Sequence, residues 1–226
     1  MRIINKRWIV IGSAPDTDLS ILNPLLAEGI PVVCADGGVQ AAQNANIKPD
    51  FYVGDLDSGV KPEKVEGIIL PTEKDYTDLH SALLWISEQG AEQVYIYGCT
   101  NGRADHYLAN VFLLEMLYKI GVKGVILDKQ NAIFFNPPGE TVIKRENSSI
   151  FFDKGKILIN DAYKYISILP LDSCVSGVSI QGMKYPLIDS VIERANPIGV
   201  SNEMVLHEGR ITVKNGNSII IFSKDV

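Results

Sequence analysis

Asp55 and Asp57 stand two residues apart in Gly54-Asp55-Leu56-Asp57-Ser58, directly after the apolar run Phe51-Tyr52-Val53. That run reads as a buried strand, so both carboxylates fall where a strand ends. In an open α/β sheet the carboxyl ends of the strands face the ligand. Two carboxylates this close repel unless a proton or a cation lies between them. An all-oxygen donor set suits magnesium, which is usually shared with substrate phosphates. The same residues also fit a plain turn, with both aspartates solvated and bonded to local backbone.

Three further segments gather polar residues at strand ends and helix starts. Ala35-Asp36-Gly37-Gly38 closes a second apolar run, and its glycines permit close backbone approach to an anion or simply punctuate a turn. Lys74-Asp75-Tyr76-Thr77-Asp78 precedes a helix, with Asp75 as a candidate N-cap and Asp78 at the third helical position, or with Asp78 joining Asp55 and Asp57 at the sheet edge. Gly98-Cys99-Thr100-Asn101-Gly102-Arg103-Ala104-Asp105-His106 supplies a fixed cation, a carboxylate and an imidazole at the start of a long helix. Arg103 suits a phosphate fork, and Asp105 a cation or a helix N-terminus; a surface Arg103–Asp105 pair is the plainer reading. His106 reads as a positioning hydrogen-bond donor, whereas His80 and His207 read as solvated or structural.

The elements that position these residues change character along the chain. The first half alternates short apolar runs with helical patterns. Strands are expected at 8–12, 31–35, 51–53, 67–70, 94–97 and 122–127, and helices at 18–27, 38–45, 75–89 and 104–120. Leu79, Ala82, Leu83 and Ile86 form the inner face of the third helix, and Leu108, Val111, Phe112 and Met116 that of the fourth. This is the text of a mostly parallel sheet flanked by helices. After about Asp128 the helical period disappears. Short β segments follow at 132–135, 141–144, 149–152, 165–169, 175–180, 200–206, 210–213 and 218–222, separated by turn formers such as Asn136-Pro137-Pro138-Gly139. They point to an antiparallel sandwich or barrel. The expected fold is therefore an α/β domain over residues 1–136 followed by an all-β sandwich over 137–226.

Composition narrows the class. The chain has 226 residues, 46% of them hydrophobic, enough for a sizeable core. Its net charge of −6 argues against a nucleic-acid surface. Cys34, Cys99 and Cys174 are odd in number and widely spaced, which implies a reducing, cytoplasmic setting and no disulfide framework. No stretch approaches membrane-spanning length. Neither a P-loop nor a protein-kinase signature set is present.

Taken together, the four acidic and glycine-bearing segments, with Ser167-Ile168-Leu169-Pro170-Leu171, Gly182-Met183-Lys184-Tyr185-Pro186-Leu187 and Ser201-Asn202-Glu203, resemble the thiamine pyrophosphokinase family in the family's own order. The resemblance implies an α/β nucleotide domain, a β-sandwich thiamine domain, and homodimers whose sites draw on both chains. It implies Mg2+-dependent transfer of the β,γ-diphosphoryl group of ATP to thiamine. Asp55, Asp57, Asp78 and Asp105 would hold the metal, and one of them would accept the hydroxyl proton. Asp36, Gly37, Gly38, Thr77, Thr100, Asn101, Gly102, Arg103 and His106 would contact the nucleotide. Tyr185 would stack on thiamine, and Ser201 and Asn202 would hydrogen-bond to it. Asn101 departs from the family's usual glycine, at a modest backbone cost, and His80 from its frequent glutamate. Two alternatives stay open: a related pterin-alcohol diphosphokinase, and a non-catalytic nucleotide or thiamine sensor.

Overall fold

The structure, a computed structural model, describes residues 5–15, 18–55, 65–69, 75–146, 151–153 and 156–225. The chain divides into two compact units between Lys129 and Gln130.

In the first unit, β1 (Arg7–Ile11), β2 (Val32–Ala35), β3 (Phe51–Gly54), β4 (Glu66–Ile69), β5 (Gln93–Tyr97) and β6 (Lys123–Leu127) alternate with α1 (Asn23–Ala27), α2 (Gly38–Asn44), α3 (Asp78–Glu88) and α4 (Ala104–Lys119). The strands lie in the order β6-β5-β1-β2-β3-β4, and every pair is parallel. Strands of Val, Ile and Tyr flanked by helices are buried on both faces, which is why β1, β2 and β5 read as unbroken apolar runs. The expected first helix begins as a 3-10 turn over Leu19–Leu22, and Pro24 starts the short α1.

Helix α3 buries Leu79, Ala82, Leu83 and Ile86, as its period predicts. An aromatic cluster adds to this packing: Trp85 meets Phe51 of β3 at 4.9 Å and Trp8 of β1 at 5.8 Å between ring centroids. Helix α4 departs from expectation. It buries Asn110, Val111, Leu114 and Leu117, while Leu108 and Phe112 are more than half exposed. The helix is apolar on more than one stripe, so periodicity alone did not single out the inner one.

The second unit is all β: β7 (Asn131–Asn136), β8 (Gly139–Arg145), β9 (Phe151–Asp153), β10 (Lys156–Ile159), β11 (Tyr165–Pro170), β12 (Cys174–Gln181), β13 (Leu187–Glu193), β14 (Asn202–Glu203), β15 (Glu208–Val213) and β16 (Ser218–Ser223). Four of these strands run in the order β14-β11-β16-β7 and six in the order β13-β12-β15-β8-β10-β9. Phe134 of β7 meets Phe152 of β9 edge-on at 5.1 Å, so the two layers share one core. This is the sandwich rather than the barrel, and it contains one parallel pair, β8 with β10.

Two strands lie outside the expected set, Lys156–Ile159 and Leu187–Glu193, and the anticipated strand at 200–206 shortens to Asn202–Glu203. Its flanks bend away: Ser201 is left-handed at φ 56°, and the Val205 and Leu206 N–H groups donate to the Gly182 carbonyl. The division after Lys129 falls seven residues before the expected end of the first domain at 136. Asn131–Asn136 pairs along its whole length with Ser218–Ser223 and so belongs to the β unit. Among the described residues no helix is long and apolar enough to cross a membrane.

Candidate functional site

Strand β1 is followed by β2 on one side, whereas β5 returns to its other side. The strand order therefore reverses between β1 and β5, and the crevice at such a point is where open α/β sheets bind ligands. Backbone from both strands closes in there. Gly12 N–H donates to the Tyr97 carbonyl at 2.7 Å, and Ala14 N–H to the Gly98 carbonyl at 2.8 Å. A Cβ on Gly12 would stand 2.6 Å from the Gly98 oxygen, so no side chain fits. Gly38 is similarly constrained, since a Cβ would overlap the Ile11 carbonyl. Its role is close passage of α2 past the end of β1, a packing reason beside the anion and turn readings of the Gly37-Gly38 pair.

Over these glycines lies a cleft of about 390 Å3. Of the expected nucleotide residues, Asp36, Thr77, Asn101, Gly102, Arg103 and His106 line it, together with Asp78. Sequence reading had not singled out Gly12, Ser13, Ala14, Pro15 or Asn110, which also line it. The signal for the loop was there, in the Gly-Ser-Ala-Pro that ends the first strand. Asn110 had no signal short of the fold: it is buried in α4 and donates from Nδ2 to the Cys99 carbonyl at 3.0 Å, tying the helix to the loop after β5. Thr100 and Asp105 are not part of the wall. Asp55 follows β3 half-buried and takes part in polar contacts. Asp57 lies outside the described residues.

Asp36 adopts φ 45°, a left-handed backbone that costs most side chains about 1–2 kcal/mol, and its Oδ1 is buried with no hydrogen-bond partner among the described residues. A half-buried acceptor held in a strained backbone at a strand end is suited to a ligand. Thr77, rather than Asp75, caps α3, accepting from the His80 N–H at 3.2 Å; Asp78 is thus the first helical residue, in the turn where a negative charge is favoured. The Thr77 hydroxyl keeps its proton for donation.

Arg103 and Asp105 form a two-point pair, Nε–Oδ1 3.1 Å and Nη2–Oδ2 2.6 Å, with both side chains mostly in solvent. The guanidinium, with the His106 N–H at 2.9 Å, holds the Asp105 carboxyl down at about 2, so it is ionised throughout the physiological range. Asp105 is therefore engaged with Arg103 rather than presented to a metal in this arrangement. Asn101 does not need the left-handed geometry for which it was weighed. Gly102 takes that conformation at φ 93°, and the Asn101 amide donates to the Pro15 carbonyl at 3.3 Å.

Among the described residues no three His, Cys, Asp or Glu side chains cluster closely enough to hold a metal ion. The expected set includes Asp57, outside that range. The donors that are placed, the unpartnered Asp36 oxygen and Asp78 in the same cleft, are carboxylate oxygens and fit a hard cation rather than a soft one.

In the second unit the residues expected to meet thiamine come together. Tyr185 is 57% exposed and carries the Lys184 ammonium 5.5 Å from its ring centre. Asn202 is buried and grips the Tyr185 backbone in both directions: Oδ1 accepts from Tyr185 N–H at 2.9 Å, and Nδ2 donates to the Tyr185 carbonyl at 2.7 Å. Its carboxamide serves as a clamp under the exposed ring. Ser201 is exposed and left-handed, its N–H fixed to Ser167 Oγ at 3.0 Å.

Comparisons with known proteins follow the same division. Residues 22–126 match the family model described as thiamin pyrophosphokinase, catalytic domain, and residues 148–220 the one described as thiamin pyrophosphokinase, vitamin B1 binding domain. The chain is 30% identical to the thiamine pyrophosphokinase of Bacillus subtilis over the full length of both. A crystal structure of the Bacillus subtilis enzyme superimposes with a TM-score of 0.84, at 29% identity, over 98% of this chain and 100% of that one. The thiamin pyrophosphokinase structure from Geobacillus thermodenitrificans gives 0.78 at 28% identity, over 97% and 98%. The Candida albicans structure, at 16% identity and 0.77 over 99% and 91%, shares the fold. With matching models over both units and a full-length relative, the chain belongs to the thiamin pyrophosphokinase family.

Proposed function

We propose that this chain transfers the β,γ-diphosphoryl group of ATP to the hydroxyl of thiamine. The hydroxyl oxygen attacks the β-phosphorus, the bond from that phosphorus to the α,β-bridging oxygen breaks, and AMP leaves with that oxygen. The hydroxyl proton passes to one of the cleft carboxylates. The observation that carries this reading is the joint presence of Asp36, Thr77, Asp78 and Arg103 in one cleft at the point where strand order reverses. Transfer of this kind requires alignment and charge neutralisation more than covalent help from the protein. Arg103 and the Thr77 hydroxyl grip phosphate oxygens, at the rim where the Gly12 and Gly98 backbones pack against each other.

Asp55, Asp57, Asp78 and Asp105 are the residues that would hold magnesium, with Asp36 the nearest addition; its chemistry there is neutralisation of phosphate charge. To hold the ion, Asp105 would have to leave Arg103, whose guanidinium would then be available to phosphate. The thiamine ring stacks on Tyr185, held out by the Asn202 clamp.

The active form in this reading is a homodimer in the cytoplasm, with each site completed by the partner's β unit. The apolar exposure of Tyr185, Val205 and Leu206, each more than half in solvent, supports a covering surface there. A pterin-alcohol substrate is less favoured, because the Gly182–Leu187 and Ser201–Glu203 segments match the thiamine half of the family. A sensor without activity should have lost acidic residues, and all four are present.

The test is AMP release from ATP and magnesium, with thiamine and with a hydroxymethyl pterin as acceptors. Thiamine-dependent release is expected. Release with the pterin alone would transfer the reading to the alternative acceptor, and tight binding with no release would favour the sensor.

A further inference from the structure

The segment that carries the chain from β5 to Arg103 is soft by composition. It runs from Gly98 to Gly102, and the glycines at its ends take left-handed backbone at φ 69° and 93°. Among the described residues the N–H groups of Cys99, Thr100, Asn101 and Gly102 meet no acceptor, so the loop has no hydrogen-bonded turn of its own. Its shape is set by neighbours. The Gly98 carbonyl accepts from Ala14 N–H at 2.8 Å, and the exposed Asn101 side chain donates to the Pro15 carbonyl at 3.3 Å, both across to the loop after β1. The middle is held by Asn110. Arg103, His106 and Asn110 follow one another at spacings of three and four, which puts them on one face at the start of α4, and all three line the cleft. Asn110 is 8% exposed, and its Nδ2 donates to the Cys99 carbonyl at 3.0 Å. A carbonyl oxygen can only accept, so the amide must present its nitrogen there. The Cys99–Thr100 peptide is planar, and fixing its oxygen fixes the plane of the whole unit, Thr100 N–H included. At the far end the Arg103 carbonyl accepts from Tyr107 N–H at 3.1 Å, in the first turn of α4. The path through Asn101 and Gly102 is thus held on both sides.

We propose that Asn110 is a positioning residue for diphosphoryl transfer: its carboxamide holds the loop after β5 in the shape that delivers Arg103 to the phosphates. The assignment rests on the reading that the cleft holds the donor's phosphates. The Arg103 side chain is mostly in solvent, so its placement depends on the backbone that carries it. Without the Asn110 bond the Cys99–Thr100 peptide is free to turn between the two glycines, and the start of α4 loses its tie to the end of β5. Misplacing a group in the site by about 1 Å can cost about a hundredfold in rate.

The experiment is a double-mutant cycle between Asn110 and Arg103 in the full chain. Asn110→Asp keeps the shape of the side chain and loses the donor, and Asn110→Ala removes the carboxamide without adding charge. Each is made alone and with Arg103→Ala. Affinity for inorganic pyrophosphate is measured by calorimetry, and kcat with KM for ATP and for thiamine by AMP release. Circular dichroism and melting check folding. Alone, each Asn110 variant should bind pyrophosphate at least tenfold more weakly and lose at least tenfold in kcat/KM for ATP, with KM for thiamine moved less than twofold. In the Arg103→Ala background, Asn110→Ala should cost less than twofold further, since the group it positions is gone. Effects that multiply would overturn the proposal, because Asn110 would then act independently of Arg103. Unchanged pyrophosphate affinity in folded Asn110→Asp would overturn it as well, and so would equal rises in both KM values, which trace the defect to the whole site. A wild-type chain that neither binds pyrophosphate nor releases AMP from ATP would bring down the parent reading and this one together.

Discussion

Asn202→Ala separates two roles, the contact with thiamine that the family resemblance implies and the support of Tyr185 that the structure shows. The side chain is 5% exposed and makes two bonds to the backbone of Tyr185, at 2.9 and 2.7 Å, with a third to its neighbour Glu203 at 2.9 Å. A typical protein hydrogen bond contributes about 0.5–1.5 kcal/mol net, and a buried group left without its partner costs about 1–3 kcal/mol. Tyr185 is partly solvated, so water recovers part of the loss. Two long-range bonds at about 1 kcal/mol each, with some lost packing, give roughly 2–3 kcal/mol. For a chain of this size each kcal/mol moves the melting temperature about 2–4 °C, so a fall of roughly 4–12 °C is expected. The assay is calorimetric melting without ligand, paired with KM for thiamine and for ATP. Melting should fall and the thiamine KM should rise, because the stacking ring loses its fixed backbone. A tenfold rise in thiamine KM with melting unchanged within 2 °C would refute the clamp, since the carboxamide would then be spending its bonds on the substrate.

Four other outcomes are expected. Asp36→Gly removes the left-handed side chain and the unpartnered oxygen, so apo stability should hold or rise by about 1 kcal/mol while AMP release falls more than tenfold; a clear loss of melting temperature would show that Asp36 is structural. Tyr185→Ala should raise the thiamine KM about tenfold or more and leave that for ATP near its original value, since ring stacking contributes about 1–3 kcal/mol; equal rises would make the ring structural. Burial pushes the Cys34 thiol up to about 12 and raises Cys99 as well, so at pH 8 a thiol reagent should label Cys174 quickly and all three only after unfolding. Asp78→Ala and Tyr185→Ala/Ser201→Ala, each inactive alone, should regain partial activity when unfolded and refolded together; inactive hybrids that demonstrably form would exclude a site shared between chains.

Local pattern was enough to read the alternation of strands and helices in the first unit, the inner face of α3, and the all-β text of the second unit. Each depends on hydrophobic period, which burial imposes directly on the sequence. The gathering of Asp36, Thr77, Asp78 and Arg103 was legible because ligand residues in an open parallel sheet fall at strand ends, whose positions the apolar runs mark. What remained needed the third dimension. Helix α4 has more than one apolar stripe, and only packing selected Val111, Leu114 and Leu117 over Leu108 and Phe112. Thr77 displaced Asp75 as cap because the chain turns one step before Asp78, a choice among adjacent polar residues that propensity does not resolve. Gly12 and Gly98 look like ordinary punctuation until β1 and β5, far apart in sequence, are set side by side and their backbones leave no room for a Cβ. Asn202 resembled a substrate ligand because residue type carries no record of its partners. Its bonds to Tyr185, 17 residues away, exist only once the two loops meet. The sequence by itself determined which residues line the strand ends; tertiary structure decided which of their polar groups are spent on the protein and which are left for a ligand, since hydrogen-bond capacity is divided by proximity and not by order along the chain.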